Sequence, residues 1–124
     1  MARILIVDDE DSVRCLLEDM LKGKGYALDL AHDGASAFEL LRDNKFDLAI
    51  IDLTMPVMNG VELVQLIRKN PKMLTMKILL CTGAEVPESV NKAAAAGVDD
   101  YIIKPFDSKT LLAKVAKLTP PSTR

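Results

Sequence analysis

Residues 48–60 read Leu48-Ala49-Ile50-Ile51-Asp52-Leu53-Thr54-Met55-Pro56-Val57-Met58-Asn59-Gly60. Four aliphatic residues in a row, with no polar position between them, suit a strand covered on both faces. The run stops at a single carboxylate, Asp52. The Pro and Gly beyond it mark a loop. In an open parallel sheet, functional groups gather outside the carboxyl ends of the strands, so Asp52 is a first candidate for chemistry.

Comparable short runs recur on both sides: Ile4-Leu5-Ile6-Val7, Ala27-Leu28-Asp29-Leu30, Ile78-Leu79-Leu80 and Tyr101-Ile102-Ile103. Helical periodicity fills the intervals. Val13, Leu16, Leu17, Met20 and Leu21 form one apolar stripe, stopped by Gly23 and Gly25. Ala37, Leu40 and Leu41 form a second, after the turn pair Asp33-Gly34. Leu63, Val64 and Ile67 form a third, ended before Pro71. A fourth helix is predicted from Pro87 to Ala96, stopped by Gly97. Leu111, Leu112, Val115 and Leu118 predict a fifth, with Asp107 as its N-cap. Strand and helix thus alternate five times, which predicts an α/β fold built on a doubly wound parallel sheet. One domain is expected over 1–119, with 120–124 (Pro-Pro-Ser-Thr-Arg) as a tail or truncated linker.

Composition narrows the function. The chain has 124 residues, enough to bury a core without disulfides or metals. With 16 basic and 18 acidic side chains the net charge is -2, which offers no basic field for nucleic acid or membrane lipid. Three Phe, two Tyr and no Trp leave little for base stacking. The opening Met1-Ala2-Arg3 leads into an apolar run too short for a signal peptide or a membrane span. Cys15 and Cys81 fit no metal or redox spacing and read as packing residues in a reducing compartment. A cytoplasmic location is expected.

The strand ends carry an uneven set of side chains: Asp8-Asp9-Glu10-Asp11 after the first, Asp52 after the third, Cys81-Thr82-Gly83 after the fourth and Lys104-Pro105 after the fifth. A parallel sheet would bring them to one edge. Two like charges ~4 Å apart repel by about 4 kcal/mol at an effective dielectric near 20. Such a cluster therefore asks for a cation or for a protonated carboxyl, and Lys104 supplies one positive charge. A hard divalent ion such as Mg2+ would supply the rest, holding one or two carboxylates, waters and a phosphate oxygen. A carboxylate can be a nucleophile that forms an acyl phosphate, and phosphoryl transfer needs positioning and charge neutralisation more than a strong base. Glu10 and Asp11 have a plainer reading, in which Asp11 or Ser12 caps the first helix and acids favour its dipole. Thr82 could be a β-favoured residue and Pro105 an ordinary loop proline. The only His, His32, is expected on the surface, away from this chemistry.

Taken in order, Asp8-Asp9, Asp52 to Gly60, Thr82-Gly83 and Lys104-Pro105-Phe106 resemble the response-regulator receiver domain of two-component signalling, the chemotaxis-regulator-like family, from Arg3 to about Leu118. The resemblance implies a flavodoxin-like fold with strand order 2-1-3-4-5 and five helices, two on one face and three on the other. It implies that Asp52 is the phosphoacceptor, served by a histidine kinase or a histidine phosphotransfer protein. Asp9, Asp52 and the backbone carbonyl of Thr54 would hold Mg2+, or Mn2+ in its place, with Asp8 acting through water. Lys104 would pair with the phosphoryl oxygens. Thr82 would turn toward them and Tyr101 would move inward, changing the face built from the fourth helix, the fifth strand and the fifth helix. A downstream protein, an attached output domain or a phosphorylation-dependent dimer would read that face. The Lys104-Pro105 bond would be cis. Thr54 and Ala84 occupy positions that vary in the family, and their short side chains suggest slow self-dephosphorylation. No turnover of an external substrate is expected.

Three rivals follow from the same residues. A haloacid-dehalogenase-like phosphatase also uses an Asp nucleophile and Mg2+, but needs an acid two residues on, where Thr54 stands. A dinucleotide-binding domain needs a Gly-rich turn after the first strand, where the acids stand. A degenerate receiver acting only as a binding module would lack part of the acidic set.

Overall fold

The structure is a computed structural model that describes residues 1–83, 91 and 96–120. Five strands, β1 (Arg3–Val7), β2 (Ala27–Ala31), β3 (Leu48–Asp52), β4 (Lys77–Thr82) and β5 (Asp100–Ile103), form one sheet in the order β2-β1-β3-β4-β5. Every pairing is parallel. Four α-helices lie among the described residues: α1 (Asp11–Leu21), α2 (Gly34–Asp43), α3 (Gly60–Lys69) and α4 (Ser108–Leu118). The helix expected over 87–96 falls, but for residues 91 and 96, outside the described residues. A 3-10 turn, Pro71–Met73, follows α3.

The continuous apolar runs are explained by burial on both faces, because successive strand side chains point to opposite sides. Leu5, Val7, Ala49, Ile51, Ile78 and Leu80 pack with Ala37 and Leu41 of α2 and Leu63, Val64 and Ile67 of α3. Ile4, Ile6, Leu48, Ile50, Leu79, Cys81 and Ile102 face the other way, onto Leu17 and Leu21 of α1 and Leu111, Val115 and Leu118 of α4. All five residues of β3 are buried. Placing β3 in the middle of the sheet drives its last residue, Asp52, into a partly dehydrated position.

Helix starts follow local chemistry, with two departures from the sequence reading. Asp107 caps α4, its carboxylate accepting the Thr110 amide at 2.7 Å. Asp33 caps α2 in the same way, accepting the Ser36 amide at 2.7 Å, so Asp33-Gly34 is a cap and a first helical residue rather than a free turn. At α1 the N-cap is Glu10, with no side-chain cap bond. Asp11 lies inside the first turn, where its charge faces the helix dipole. Asn59 and Glu62 form a reciprocal capping box at α3, at 2.9 and 3.0 Å.

Arg68 fastens the opposite edge of the sheet. Its guanidinium donates to the carbonyls of Met73, Met76 and Gly97 and to the Asp99 carboxylate, which also accepts the Ile78 amide. One side chain near the end of α3 thereby ties the approaches to β4 and β5.

Candidate functional site

Because all strands run the same way, their carboxyl ends share one edge. Val7 is in register with Ile51, Asp52 with Cys81 and Thr82 with Ile103. Asp8, Asp52, Thr82 and Lys104 therefore stand at neighbouring strand ends. The carboxylates of Asp8, Asp9 and Asp52 each place an oxygen within 4.8 Å of the others. Asp8 and Asp52 are almost fully buried, and Asp9 is exposed.

Lys104 reaches into this cluster from beyond β5. Its Nζ donates to Asp8 Oδ2 at 3.2 Å and to Asp52 Oδ1 at 3.2 Å. The peptide bond between Lys104 and Pro105 is cis. The Thr54 amide donates to Asp52 Oδ1 at 3.3 Å, and the Glu10 amide to Asp8 Oδ1 at 2.9 Å. Each buried carboxylate thus holds one lysine contact and one backbone contact, leaving oxygen lone pairs for another ligand.

The electrostatics are unbalanced. Burial, and then the charge on Asp8, push the Asp52 carboxyl up from 3.8 to about 6, against the pull of Lys104. At neutral pH Asp52 is therefore mostly ionised and available as a nucleophile. Burial alone would lower the Lys104 pKa, but Asp52 and Asp8 together outweigh it, and the net shift is upward. The amine stays a cation. Cys81, level with Asp52 on β4, is no rival ligand, since burial pushes its thiol up to about 12. Three carboxylates facing one amine are a hard-oxygen donor set with charge to spare, which fits a hard divalent cation and not a soft one.

The remaining sequence-predicted residues sit as follows. Thr82 ends β4 and is buried. Thr54 is exposed on the rim. Tyr101 on β5 is 40% exposed, with Lys114 Nζ 5.9 Å from its ring centre. Ala84 lies outside the described residues. His32 is an exposed side chain paired with Asp33 at 3.3 Å. Two supports were not read from the sequence. Arg14 donates to the Asp8 carbonyl at 2.6 Å and pairs with Asp11; the i,i+3 spacing of Asp11 and Arg14 was the available signal. Gly60 brings α3 against the strand end, where an added Cβ would lie 2.5 Å from the Asp52 carbonyl oxygen. No local pattern announces that approach.

The sequence matches the family described as response regulator receiver domain over residues 4–116. The chain belongs to that family. It is 32% identical over 117 residues to the chemotaxis protein CheY of Pseudomonas aeruginosa, covering 94% of each chain. Its fold is similar to that of the chemotaxis protein CheY4 of Vibrio cholerae, with a TM-score of 0.91, 34% identity, and 95% of this chain and 98% of that one covered. It is also similar to the receiver domain of a sensor histidine kinase from Pseudomonas aeruginosa, solved with a magnesium ion coordinated in its active-site cleft. There the TM-score is 0.87 and the identity 26%, over 94% and 96% of the two chains.

As a receiver domain the chain takes its place in two-component signalling, in a family of phosphoacceptors rather than enzymes that turn over an external substrate. Such receivers work with histidine kinases or phosphotransfer proteins on one side and with outputs on the other. The phosphatase, dinucleotide-binding and degenerate readings find no support in these likenesses. No helix among the described residues is long and apolar enough to cross a membrane.

Proposed function

We propose that Asp52 accepts a phosphoryl group from a phosphohistidine and that this receiver passes the signal on through the face around β5 and α4. The observation that carries the reading is Lys104 Nζ, 3.2 Å from both buried carboxylates across 52 and 96 residues of chain. An Asp52 oxygen attacks phosphorus, the P–N bond breaks, and the imidazole leaves with the electron pair and takes a proton. The product is a mixed anhydride on Asp52. Lys104 is placed to follow the charge from the Asp52 carboxylate to the phosphoryl oxygens. It stays protonated because two carboxylates hold it so.

The donor set fits Mg2+, with Mn2+ as its substitute. Asp9, Asp52 and the Thr54 carbonyl would hold it directly and Asp8 through water. When bound, the ion supplies neutralisation of the charge shared by carboxylates and phosphoryl group. In this reading Thr82 turns its hydroxyl toward the new dianion and Tyr101 follows, a two-state element biased by local charge. Self-dephosphorylation is slow, since Thr54 offers only a short side chain at the rim. A sensor kinase or phosphotransfer protein is the donor, and a separate protein, an attached output domain or a second copy reads the switched face. The domain works in the cytoplasm and makes no direct contact with nucleic acid.

Incubation with labelled acetyl phosphate and Mg2+ tests the acceptor. Wild type takes up one label and Asp52→Asn takes up none, while both melt cooperatively. Equal labelling of the two proteins refutes the assignment.

A further inference from the structure

A cavity of about 540 Å³ opens at the edge of the sheet where the strands begin, opposite the acidic pocket. Its walls are two segments that lead into neighbouring strands, 41–46 before β3 and 70–76 before β4. Leu41, Phe46, Met73 and Met76 give it an apolar floor, each no more than 6% exposed. Two of the four are methionines, whose unbranched, polarisable side chains adapt to the shape of an apolar body.

The walls are fixed. Arg68 donates to the Met73 and Met76 carbonyls at 3.2 and 2.8 Å. Asn70 caps the 3-10 turn, accepting the Lys72 amide at 3.0 Å. Asn44 donates to the Leu40 carbonyl at 3.0 Å and accepts from Arg3. The Lys77 amide donates to the Asp47 carbonyl at 3.0 Å, which sets the two segments side by side. A preformed, concave site with an apolar interior and a few polar groups is the usual form of a small-molecule pocket.

The rim carries an excess of positive charge. Arg42, Lys45 and Lys72 stand against a single acid, Asp43, on a chain whose net charge is -2. Arg42 pairs with Asp43 at 3.6 Å. Lys45 and Lys72 have no acidic partner among the described residues, whereas Arg3, Arg14, Arg68 and Lys114 each have one. An apolar floor under two uncompensated cations selects a ligand of both characters.

We propose that this cavity binds a small amphipathic anion, its apolar ring system on Phe46 and the two methionines and its carboxylate, sulfonate or phosphate group on Lys45 and Lys72. The volume falls in the range of small-molecule pockets, about 300–1,000 Å³, which favours such a ligand over a segment of an acidic protein. The site is separate from the acidic pocket: Phe46 precedes β3 and Asp52 ends it, so the length of a strand, roughly 17 Å, lies between them.

The test titrates the intact chain with anilinonaphthalene sulfonate, an aromatic anion, and with phenylnaphthylamine, a similar body without the charge. Amide chemical shifts locate the binding. The sulfonate gives saturable shifts over 41–46 and 70–76, and the neutral amine binds there more weakly. Lys45→Glu combined with Lys72→Glu alters two exposed side chains and leaves the floor intact. It weakens the sulfonate about tenfold and leaves the neutral amine within about twofold of wild type. Shifts centred elsewhere, a titration that does not saturate, or equal sulfonate affinity in wild type and double variant overturns the proposal. A glutamate-rich peptide is titrated in parallel. If it moves these amides and the sulfonate does not, the cavity serves an acidic protein segment and the proposal falls.

Discussion

At the scale of single residues, Asp52, the proposed phosphoacceptor, carries a cost in stability. Its carboxyl sits near 6 in the fold, against about 3.9 in an unfolded chain. Between those values the folded state holds more protons, so stability falls as pH rises through the window. A shift of about two units amounts to roughly 3 kcal/mol, fully lost above pH ~7. Lys104 acts outside this window, because a raised lysine pKa contributes stability that fades only at alkaline pH. The capping carboxylates Asp33 and Asp107 have lowered values, so their contribution fades only as pH falls into the acid range. Urea titrations in EDTA therefore show wild-type stability dropping between pH 4.5 and 7.5, while Asp52→Asn stays nearly level. Equal slopes in the two proteins would remove Asp52 as the titrating group.

At the scale of elements, the segment joining β3 to α3 shapes the pocket. The Gly60 amide donates to the Leu53 carbonyl and pulls its two ends together, while the Leu53 amide donates to the Cys81 carbonyl and ties the segment to β4. Gly60 must lack a side chain, because a Cβ there would stand 2.5 Å from the Asp52 carbonyl oxygen and 2.8 Å from the Leu53 Cα. Both obstacles are backbone and cannot rotate away. Gly60→Ala is expected to destabilise by about 2 kcal/mol, with the strand end displaced. Gly83→Ala is the control, since no described residue lies within 4 Å of its Cβ position, and it changes stability by less than about 0.5 kcal/mol. Denaturant midpoints check both, and a neutral Gly60→Ala would show that α3 can withdraw from the strand end.

At the scale of the molecule, the parallel sheet gathers charge at one edge and braces the other. The guanidinium of Arg68 bonds at the entry edge, while three carboxylates and one lysine meet at the exit edge. An ion bound there relieves the repulsion and binds only the folded state. Mg2+ at a hundred times its Kd therefore adds about 2.7 kcal/mol to the unfolding free energy. Asp9→Asn alters an exposed side chain and leaves both cores intact, yet it shrinks that gain. Urea melts with and without Mg2+ measure it, and an undiminished gain would take Asp9 out of the metal site.

Among the described residues the order of strands and helices was legible in the sequence, because apolar runs and helical stripes are local patterns set by burial on two faces or one. So were the residue types at the strand ends and the Asp107 cap, whose partner lies three positions away. What only the tertiary structure decided are the relations between residues distant in the chain: Lys104 between two carboxylates, Gly60 against the Asp52 carbonyl, and Arg68 across the sheet entry. Local pattern reports which face a residue occupies. Packing of the whole chain decides which atoms on that face come within bonding distance.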